Sequence, residues 1–566
     1  MNTPKISSKW MIVFLLLGTF TVTFLGFNPS PHTGGDNAGY LSLAHSIVSG
    51  SGYTELWDPE TPVHTKYPPV YPLVLALAML LGVKSWLAFK MFSVVFTTAS
   101  LAMMFDWIRS RHSVGLAFCA CSILVFSPAI LWSSNWILSD PLFLALTVSC
   151  FWAFERWEEK RCSWSWLLLG CSSAILALFT RTAGLPIVLA VSGTLALRKE
   201  WKVLVVFLPA VLLPSLAWLS LTQGVDTGQY VSEFFLIDPY NPALGEINAF
   251  EFFARVKENM SKYILLYFPQ GLSGWNELAS RYLGVLLFLA ASVGWLKRVR
   301  CSVGVSELFF PVYLLLILSW PAVWSGDRFA LPLYPLLLIY SGEALVGVVG
   351  TRSRSLKMAT YVSVVFAFLM ISVSTWYGST GNARMCRRAI SNTGVFSCYG
   401  SGLQEFVSVA DWLGKNIPEG SVVFTRKPRI FYVLSGVQSR TYPFTQDPNK
   451  FLAEAEENGI GYVVWDRIDR LGEAYVGAVV RARPQGFCSI GVVGSSSEYT
   501  AILGIRDKKE LVRNSSDSVN ISEVLEPCPS SFLRGDPTQS TVLQSPDVPI
   551  LTGSLRRSSG VNGENH

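Results

Sequence analysis

The chain has 566 residues, 51% of them hydrophobic and only 15% charged, with a net charge of +6. Soluble globular domains carry about 25% charged residues, so this composition excludes an ordinary water-soluble enzyme and places most of the chain in a bilayer. The basic residues stand in short clusters between apolar runs; they read as topology signals and contacts to anionic membrane lipids, with no nucleic acid as partner.

The first apolar run, 10–27, follows Lys5 and Lys9. A cleaved signal peptide has an apolar core of about 7–15 residues and a small-residue cleavage site. Phe24-Leu25-Gly26-Phe27-Asn28-Pro29 is a poor site, so the run reads as an uncleaved first span. A loop over 28–83 follows. In it 38–49 reads as a short helix with Ala38, Leu41, Ala44, Ile47 and Val48 on one face. The run 69–82 is apolar but short, bounded by Pro68-Pro69 and Gly82, and suits an interfacial helix better than a span.

A spanning helix needs about 20 apolar residues. Further candidate spans are 84–107, 114–133, 140–157, 164–181, 183–198, 203–221, 280–296, 306–324, 329–349 and 357–377. With the N-terminus in the cytoplasm, the inner connections carry Arg109/Arg111, Arg156/Lys160/Arg161, Arg198/Lys199/Lys202, Lys297/Arg298/Arg300 and Arg352/Arg354/Lys357, as the positive-inside rule requires. Counting 69–82 as a span inverts this pattern. The fold class is therefore an all-α polytopic membrane bundle of about eleven transmembrane helices over residues 1–377, with outer loops 28–83 and 222–279. In the second loop, 247–268 reads as an amphipathic helix. Both loop helices either lie in the interface plane or pack on the bundle.

From 378 the composition turns polar. Helices are predicted over 402–416 and 448–458, strands over 421–425 and 461–466, and β-like runs over 487–494 and 499–506. Residues 378–508 thus form a small extracytoplasmic α/β domain. Residues 509–566 are rich in Ser, Pro, Asn and Asp and read as a disordered tail. Of ten Cys, six lie in or beside apolar runs and act as small hydrophobes. Cys386, Cys398, Cys488 and Cys528 lie in the polar part, where three disulfide pairings are open; Cys386 with Cys398 is preferred.

Candidate chemistry begins at Gly34-Gly35-Asp36-Asn37-Ala38-Gly39-Tyr40, just after the first span. A carboxylate at Asp36 has the chemistry to take a proton from an acceptor hydroxyl; the competing reading is a helix N-cap. Asp140, in Ser139-Asp140-Pro141, stands at the outer start of a span, and a membrane-edge carboxylate is functional by default; its competing reading is again helix capping. Arg328, in Gly326-Asp327-Arg328-Phe329-Ala330-Leu331-Pro332, offers a planar bidentate donor to a phosphate; the alternative is a snorkelling Arg paired with Asp327. Arg181 is a similar candidate, and both stand against the positive-inside trend. Glu55, His64, Lys66 and Tyr67 share the loop of Asp36. Asp36, Glu55 and His64 are ligand types for a divalent metal, but no spacing enforces a site and no metal is assigned. Arg426-Lys427-Pro428-Arg429 and Asp466-Arg467 read as solvated strand ends.

The order of first span, Asp36, Tyr40, short helix, Lys66-Tyr67-Pro68-Pro69 and apolar run resembles the polytopic glycosyltransferases of the GT-C superfamily, which include protein O-mannosyltransferases, the lipid A aminoarabinose transferase and galacturonosyltransferase-like bacterial proteins. The likeness covers roughly residues 10–350 by layout, with distinctive motifs only in the first loop and near residue 327. In such enzymes an acidic residue of the first outer loop is the catalytic base, and Asp36 matches it. Members often have two adjacent acids there, whereas here the neighbours are Gly35 and Asn37. An Asp resembling Asp140 and an Arg-aromatic pair resembling Arg328-Phe329 also recur.

The resemblance implies inverting transfer of a sugar from a polyprenyl-phosphate donor to an envelope lipid, glycan or protein at the plasma (inner) membrane. Asp36 would be the base. Arg328, Arg181, Lys66 and Tyr67 would bind the donor phosphate, with Asp140, Tyr40, His64 and Glu55 nearby. The chain has no P-loop, no nucleotide fingerprint and no GxSxG elbow, which suits a lipid-linked donor. The rival readings are a transporter or lipid flippase, which would place broken helices at the midplane, and a non-catalytic assembly protein working through residues 400–506.

Overall fold

The computed structural model describes residues 8–32, 34–159, 163–221, 233–239, 244–274, 278–349, 354–495, 498–506 and 525–534. They fall into two compact units: Met1–Pro29, Val63–Leu75 and Phe89–Met385 form one, and Ser30–Pro62, Ala76–Ala88 and Cys386–His566 the other. Up to residue 393 the helices are α1 (Ser8–Leu25), α2 (Gly35–Val48), α3 (Val70–Leu80), α4 (Trp86–Arg111), α5 (Val114–Val125), α6 (Pro128–Ser133), α7 (Asp140–Glu159), α8 (Trp164–Thr180), α9 (Leu185–Leu197), α10 (Trp201–Leu221), α11 (Ala249–Lys262), α12 (Phe268–Ser273), α13 (Leu278–Cys301), α14 (Val305–Ser319), α15 (Leu333–Val349) and α16 (Arg354–Thr393).

The helical unit is built on apolar residues in every direction. Trp107, Phe143, Phe151, Phe309, Tyr313 and Tyr334 are fully buried in one core, with Phe309 stacked on Tyr313 at 4.9 Å. On α10, by contrast, Val205, Val206, Leu213 and Leu216 are 58–70% exposed. An apolar surface of that extent belongs in hydrocarbon.

Among the described residues, three helices are both long and apolar enough to cross a membrane: Trp86–Arg111, Trp201–Leu221 and Ser280–Cys301; the bent pair Val362–Phe368 and Ser372–Thr393 makes a fourth. This is fewer than the eleven or so expected. Every expected span does contain helix, but several are short or broken. Residues 114–133 divide at Ser127, whose hydroxyl caps α6 by accepting from the Ile130 N–H, with Pro128 in the first turn. A proline there has no N–H to continue the preceding helix. The segment 70–80 is short, as expected.

A buried ion cluster ties the far ends of these helices. Arg111 of α4 pairs with Glu307 of α14, donates to Ser306 Oγ at 2.7 Å and lies 3.6 Å from Glu155 of α7. The Tyr340 hydroxyl donates to Glu307 at 3.1 Å.

In the second unit, α17 (Ser401–Asn416), β1 (Val422–Thr425), α18 (Pro428–Ser435), β2 (Ser439–Thr441), α19 (Pro448–Glu457), β3 (Ile460–Trp465), α20 (Ala478–Ala482), β4 (Phe487–Gly494) and β5 (Tyr499–Ile505) form an α/β domain. Strand order is β2-β1-β3-β5-β4. β2, β1 and β3 are parallel; β5 runs antiparallel to β3 and to β4. The expected elements are all present. α18, α20 and β2 were not foreseen: β2 has three residues, too few for an alternation to register, α20 has five, and α18 is fixed by its ends, Pro428 in the first turn and Gly436 at φ 71°.

Cys386 pairs with Cys398 and Cys488 with Cys528. The second bridge holds residues 525–534 against the sheet, where Pro527 bridges Ser489 and the Arg534 N–H donates to Asn416 O at 2.7 Å. That short piece of the expected disordered tail is therefore packed; the rest of 509–566 lies outside the described residues.

The strand-end charges are not simply solvated, as the sequence suggested. Arg426 pairs with Asp469 at 2.8 Å, and Arg467 with Glu405 at 2.8 Å and Glu498 at 2.7 Å. Asp466 is 1% exposed. Burial pushes its carboxyl up to about 6, against the opposing pull of the Ile468 N–H, Arg426 and Lys427.

Two outcomes follow for this domain. Replacing Cys488 and Cys528 by Ser opens a loop of 40 residues and should cost the sheet about 3–4 kcal/mol, read as faster hydrogen exchange of the β4 and β5 amides. Asp466 keeps its proton in the fold to about pH 6, whereas the unfolded chain releases it near pH 4. Folding thus binds a proton in that window, and stability falls as pH rises from about 4 to about 6, by ~3 kcal/mol. Asp466→Asn should flatten that decline, measured by the same exchange across pH.

Candidate functional site

Three groups of predicted residues take shape, each within one unit. The first is in the unit of the first loop and the C-terminal domain. There α2 starts at Gly35, with Gly34 as its cap and no side-chain capping bond. Asp36 is therefore not the cap; it lies in the first turn, half-buried, where the positive end of the helix favours a carboxylate. The Gly34 N–H donates to His32 Nδ1 at 3.0 Å, and a Cβ there would come within 2.7 Å of the His32 ring, which would have to shift. Asn37, Ala38 and Tyr40 are buried, Tyr40 at one turn from Asp36. Nearly the whole of α2 is buried, and it packs against α18. Burial holds the Tyr53 hydroxyl well above its ordinary range, with Tyr40 adding to the effect. The backbone N–H of Glu55 donates to Pro62 O at 2.9 Å.

The second group, in the helical unit, is the arrangement the sequence could not show. Asp140, 4% exposed, is shared by two guanidiniums. Arg181 Nη1 stands 2.5 Å from its Oδ1, and Arg328 Nε donates to its Oδ2 at 2.9 Å. Arg181 Nη1 also reaches Ser139 Oγ at 3.4 Å. Both guanidiniums lie over the Phe329 ring, at 5.6 and 6.0 Å. The Phe329 carbonyl accepts from the Tyr313 hydroxyl at 3.0 Å, which holds the turn Asp327–Ala330 against the core. The Asp327 carboxylate accepts the Arg328 backbone N–H at 2.9 Å. Burial raises the Asp327 carboxyl, against the opposing hydrogen bond from the Arg328 N–H. Two guanidiniums converge on one carboxylate, and a guanidinium's planar fork suits an anion such as a phosphate.

The third group is the segment before α3. His64 is fully buried, and its Nε2 accepts the Tyr67 N–H at 2.9 Å, so that nitrogen carries no proton. The two rings pack at 4.8 Å, and Tyr67 is 6% exposed. Lys66 pairs with Glu233 at 3.2 Å and lies 5.4 Å over Trp324. Glu233 and Trp324 carried no local signal; their partnership spans 167 residues in the case of Glu233. Among the described residues no three His, Cys, Asp or Glu side chains gather as a metal site.

No protein-family model and no curated protein matches the chain. Solved structures are similar to it. The oligosaccharyltransferase of Archaeoglobus fulgidus, tethered with an acceptor peptide containing the NVT sequon, aligns with a TM-score of 0.53 at 12% identity over 87% of this chain and 74% of that one. The same archaeal enzyme, AglB, in complex with an inhibitory peptide and a dolichol-phosphate, aligns at 0.53 and 12% over 88% and 74%. ArnT from Cupriavidus metallidurans bound to undecaprenyl phosphate aligns at 0.52 and 12% over 88% of this chain and 98% of that one. Both enzymes are GT-C glycosyltransferases. At such identity the likeness is one of architecture, and the architecture of this chain is the GT-C fold.

Proposed function

We propose that this chain is a membrane glycosyltransferase that moves a sugar from a polyprenyl-phosphate-linked donor to a lipid, glycan or protein acceptor on the extracytoplasmic side of the plasma membrane, with inversion at the anomeric carbon. The observation that carries this reading is the pair of guanidiniums sharing Asp140 over Phe329, in a fold whose neighbours include ArnT bound to undecaprenyl phosphate. About eleven helices cross the bilayer in this reading, on the strength of the positive-inside pattern, and residues 378–508 are extracytoplasmic.

In the reaction, an acceptor hydroxyl attacks the anomeric carbon from the face opposite the phosphate. The glycosyl C–O bond to the phosphate breaks, the acceptor proton passes to Asp36, and polyprenyl phosphate leaves with both bonding electrons. Arg181 and Arg328 balance the charge that grows on the leaving phosphate. Asp140 keeps the two guanidiniums oriented, and Phe329 gives them a flat face. Lys66, held by Glu233 at 3.2 Å, is a further donor to the phosphate in this scheme.

Purified protein given a radiolabelled polyprenyl-phosphate sugar and envelope extract should release polyprenyl phosphate as label moves to the acceptor; no release with any prenyl-linked donor would sink the reading. Asp36→Asn should cut transfer by about 10²–10⁴-fold while donor binding persists. Arg328→Ala should lower kcat by roughly 10²–10³-fold, and Arg328→Lys should recover only part of it, because an ammonium cannot supply the planar fork. Asp140→Asn leaves two half-buried guanidiniums without their shared carboxylate and should destabilise the helical unit by on the order of 3 kcal/mol, seen as a lower melting midpoint in detergent.

A further inference from the structure

Helix α2, which carries Asp36, is tied on both sides to the C-terminal domain. Before it, the Tyr399 hydroxyl donates to Pro31 O at 2.5 Å, and Ser30 Oγ lies 3.3 Å from the sulfur of Cys386, which is bridged to Cys398. Along its length it packs on α18. Behind it, Ser46 Oγ meets Thr54 Oγ1 at 2.9 Å, and the Ser51 N–H donates to Ser46 O at 3.0 Å, so the end of α2 is joined to the segment that follows.

That segment then grips the sheet. β2 is its edge strand, and the Ser439 N–H at that edge donates to Trp57 O at 2.7 Å. Trp57 is 4% exposed, with the Arg429 guanidinium 5.0 Å over its ring. Next to it is the strongest contact. Arg440 of β2 holds Asp58 through two parallel bonds, Nε to Oδ2 at 3.0 Å and Nη2 to Oδ1 at 2.9 Å, with Glu60 at 2.9 Å from the same Nη2. Gln438 Nε2 adds a bond to Asp58 O at 3.2 Å. Arg440 is set in turn by Asn458, at the end of α19. The carboxylates hold its guanidinium firmly in the charged form, Asp58 being the main cause. A two-point ion pair fixes angle as well as distance, which a single contact does not.

We infer that Arg440 is a positioning residue for the base: through Asp58 and Trp57 the C-terminal domain sets where α2, and therefore the Asp36 carboxylate, stands. This rests on the reading of Asp36 as the proton acceptor. A general base works only at hydrogen-bond reach of the proton it takes, and a misplacement of about 1 Å costs on the order of 10²-fold in rate. Arg440 touches neither substrate nor Asp36 in this scheme, so its loss falls on turnover and spares donor binding.

The test uses the full-length protein in nanodiscs with a radiolabelled polyprenyl-phosphate sugar. Arg440→Ala should lower kcat by about 10–100-fold with the donor KM and the melting midpoint of the helical unit unchanged. Asp58→Asn, which leaves the sheet intact, should give the same pattern and serves if Arg440→Ala does not fold. The exchange pair Asp58→Arg with Arg440→Asp should recover most of the lost kcat. Unchanged kcat in both single variants overturns the inference. So does a loss that the exchange pair does not restore, or one accompanied by an equal rise in donor KM. Wild-type turnover in Asp36→Asn would instead remove the base itself, a result separable from the behaviour of Arg440.

Discussion

The helical unit is organised by one carboxylate that serves two guanidiniums. Taking an arginine out of water at a membrane edge is costly, and the cost is met only by a partner held at bonding distance. Asp140 meets it twice. Its position follows from helix chemistry. It opens α7, where the N-terminal end favours a negative charge, and Arg181 stands just past the last residue of α8, where the C-terminal end favours a positive one. α7 and α8 pack closely, so the start of one meets the end of the other and the charges meet with their dipoles already satisfied. Arg328 then draws the turn before α15 to the same point. One shared acid thus registers three separate stretches of chain.

The opposite end of α7 repeats the principle with a different outcome. Glu155 lies 15 residues on, roughly 22 Å along the helix, within the cluster of Arg111, Glu307 and Ser306. There Glu155 and Glu307 lie within salt-bridge distance of Arg111, Arg298 Nε stands 4.0 Å from Glu307, and Tyr340 adds a further bond, so two acids face two guanidiniums. Between the two ends α7 is apolar and buried, with Phe143, Leu144, Val148 and Phe151 in the core. The cluster at Glu155 joins α4, α7 and α14; the cluster at Asp140 joins the start of α7, the end of α8 and the turn before α15.

Much of the fold was legible because the bilayer is a demanding solvent. Apolar runs long enough to satisfy their own backbone read directly as helices, and each of the expected runs contains one. Continuity was harder to read, since a break such as Ser127-Pro128 depends on one cap and one missing N–H. In the C-terminal domain the two longest helices and the longer strands were found, while the short helices α18 and α20 and the three-residue β2 were not. Asp140, Arg181 and Arg328 were each visible as charges out of place, yet nothing local shows that they share one point; Arg328 and Asp140 are 188 residues apart. Asp36 was ambiguous for a local reason, because Asp before a helix is equally a cap, and only the geometry at Gly34 separates the two roles.

The partition of the chain carries a further consequence. Residues Ser30–Pro62 of the first loop fold with the C-terminal domain. Pro31 is held by Tyr399, Trp57 by Ser439, and Asp58 by Arg440 across 382 residues. Contacts of such separation form late, after the intervening chain has been made and its ends brought together. Until then the edge of β2 lacks its cover, and an open strand edge invites pairing with other chains. The loop therefore protects the sheet while the sheet fixes the loop. Each completes the other only in the finished protein, so the acid on α2 acquires its final setting at the last stage of assembly. A nascent chain that carries Asp36 but lacks β2 has the residue without the frame that orients it.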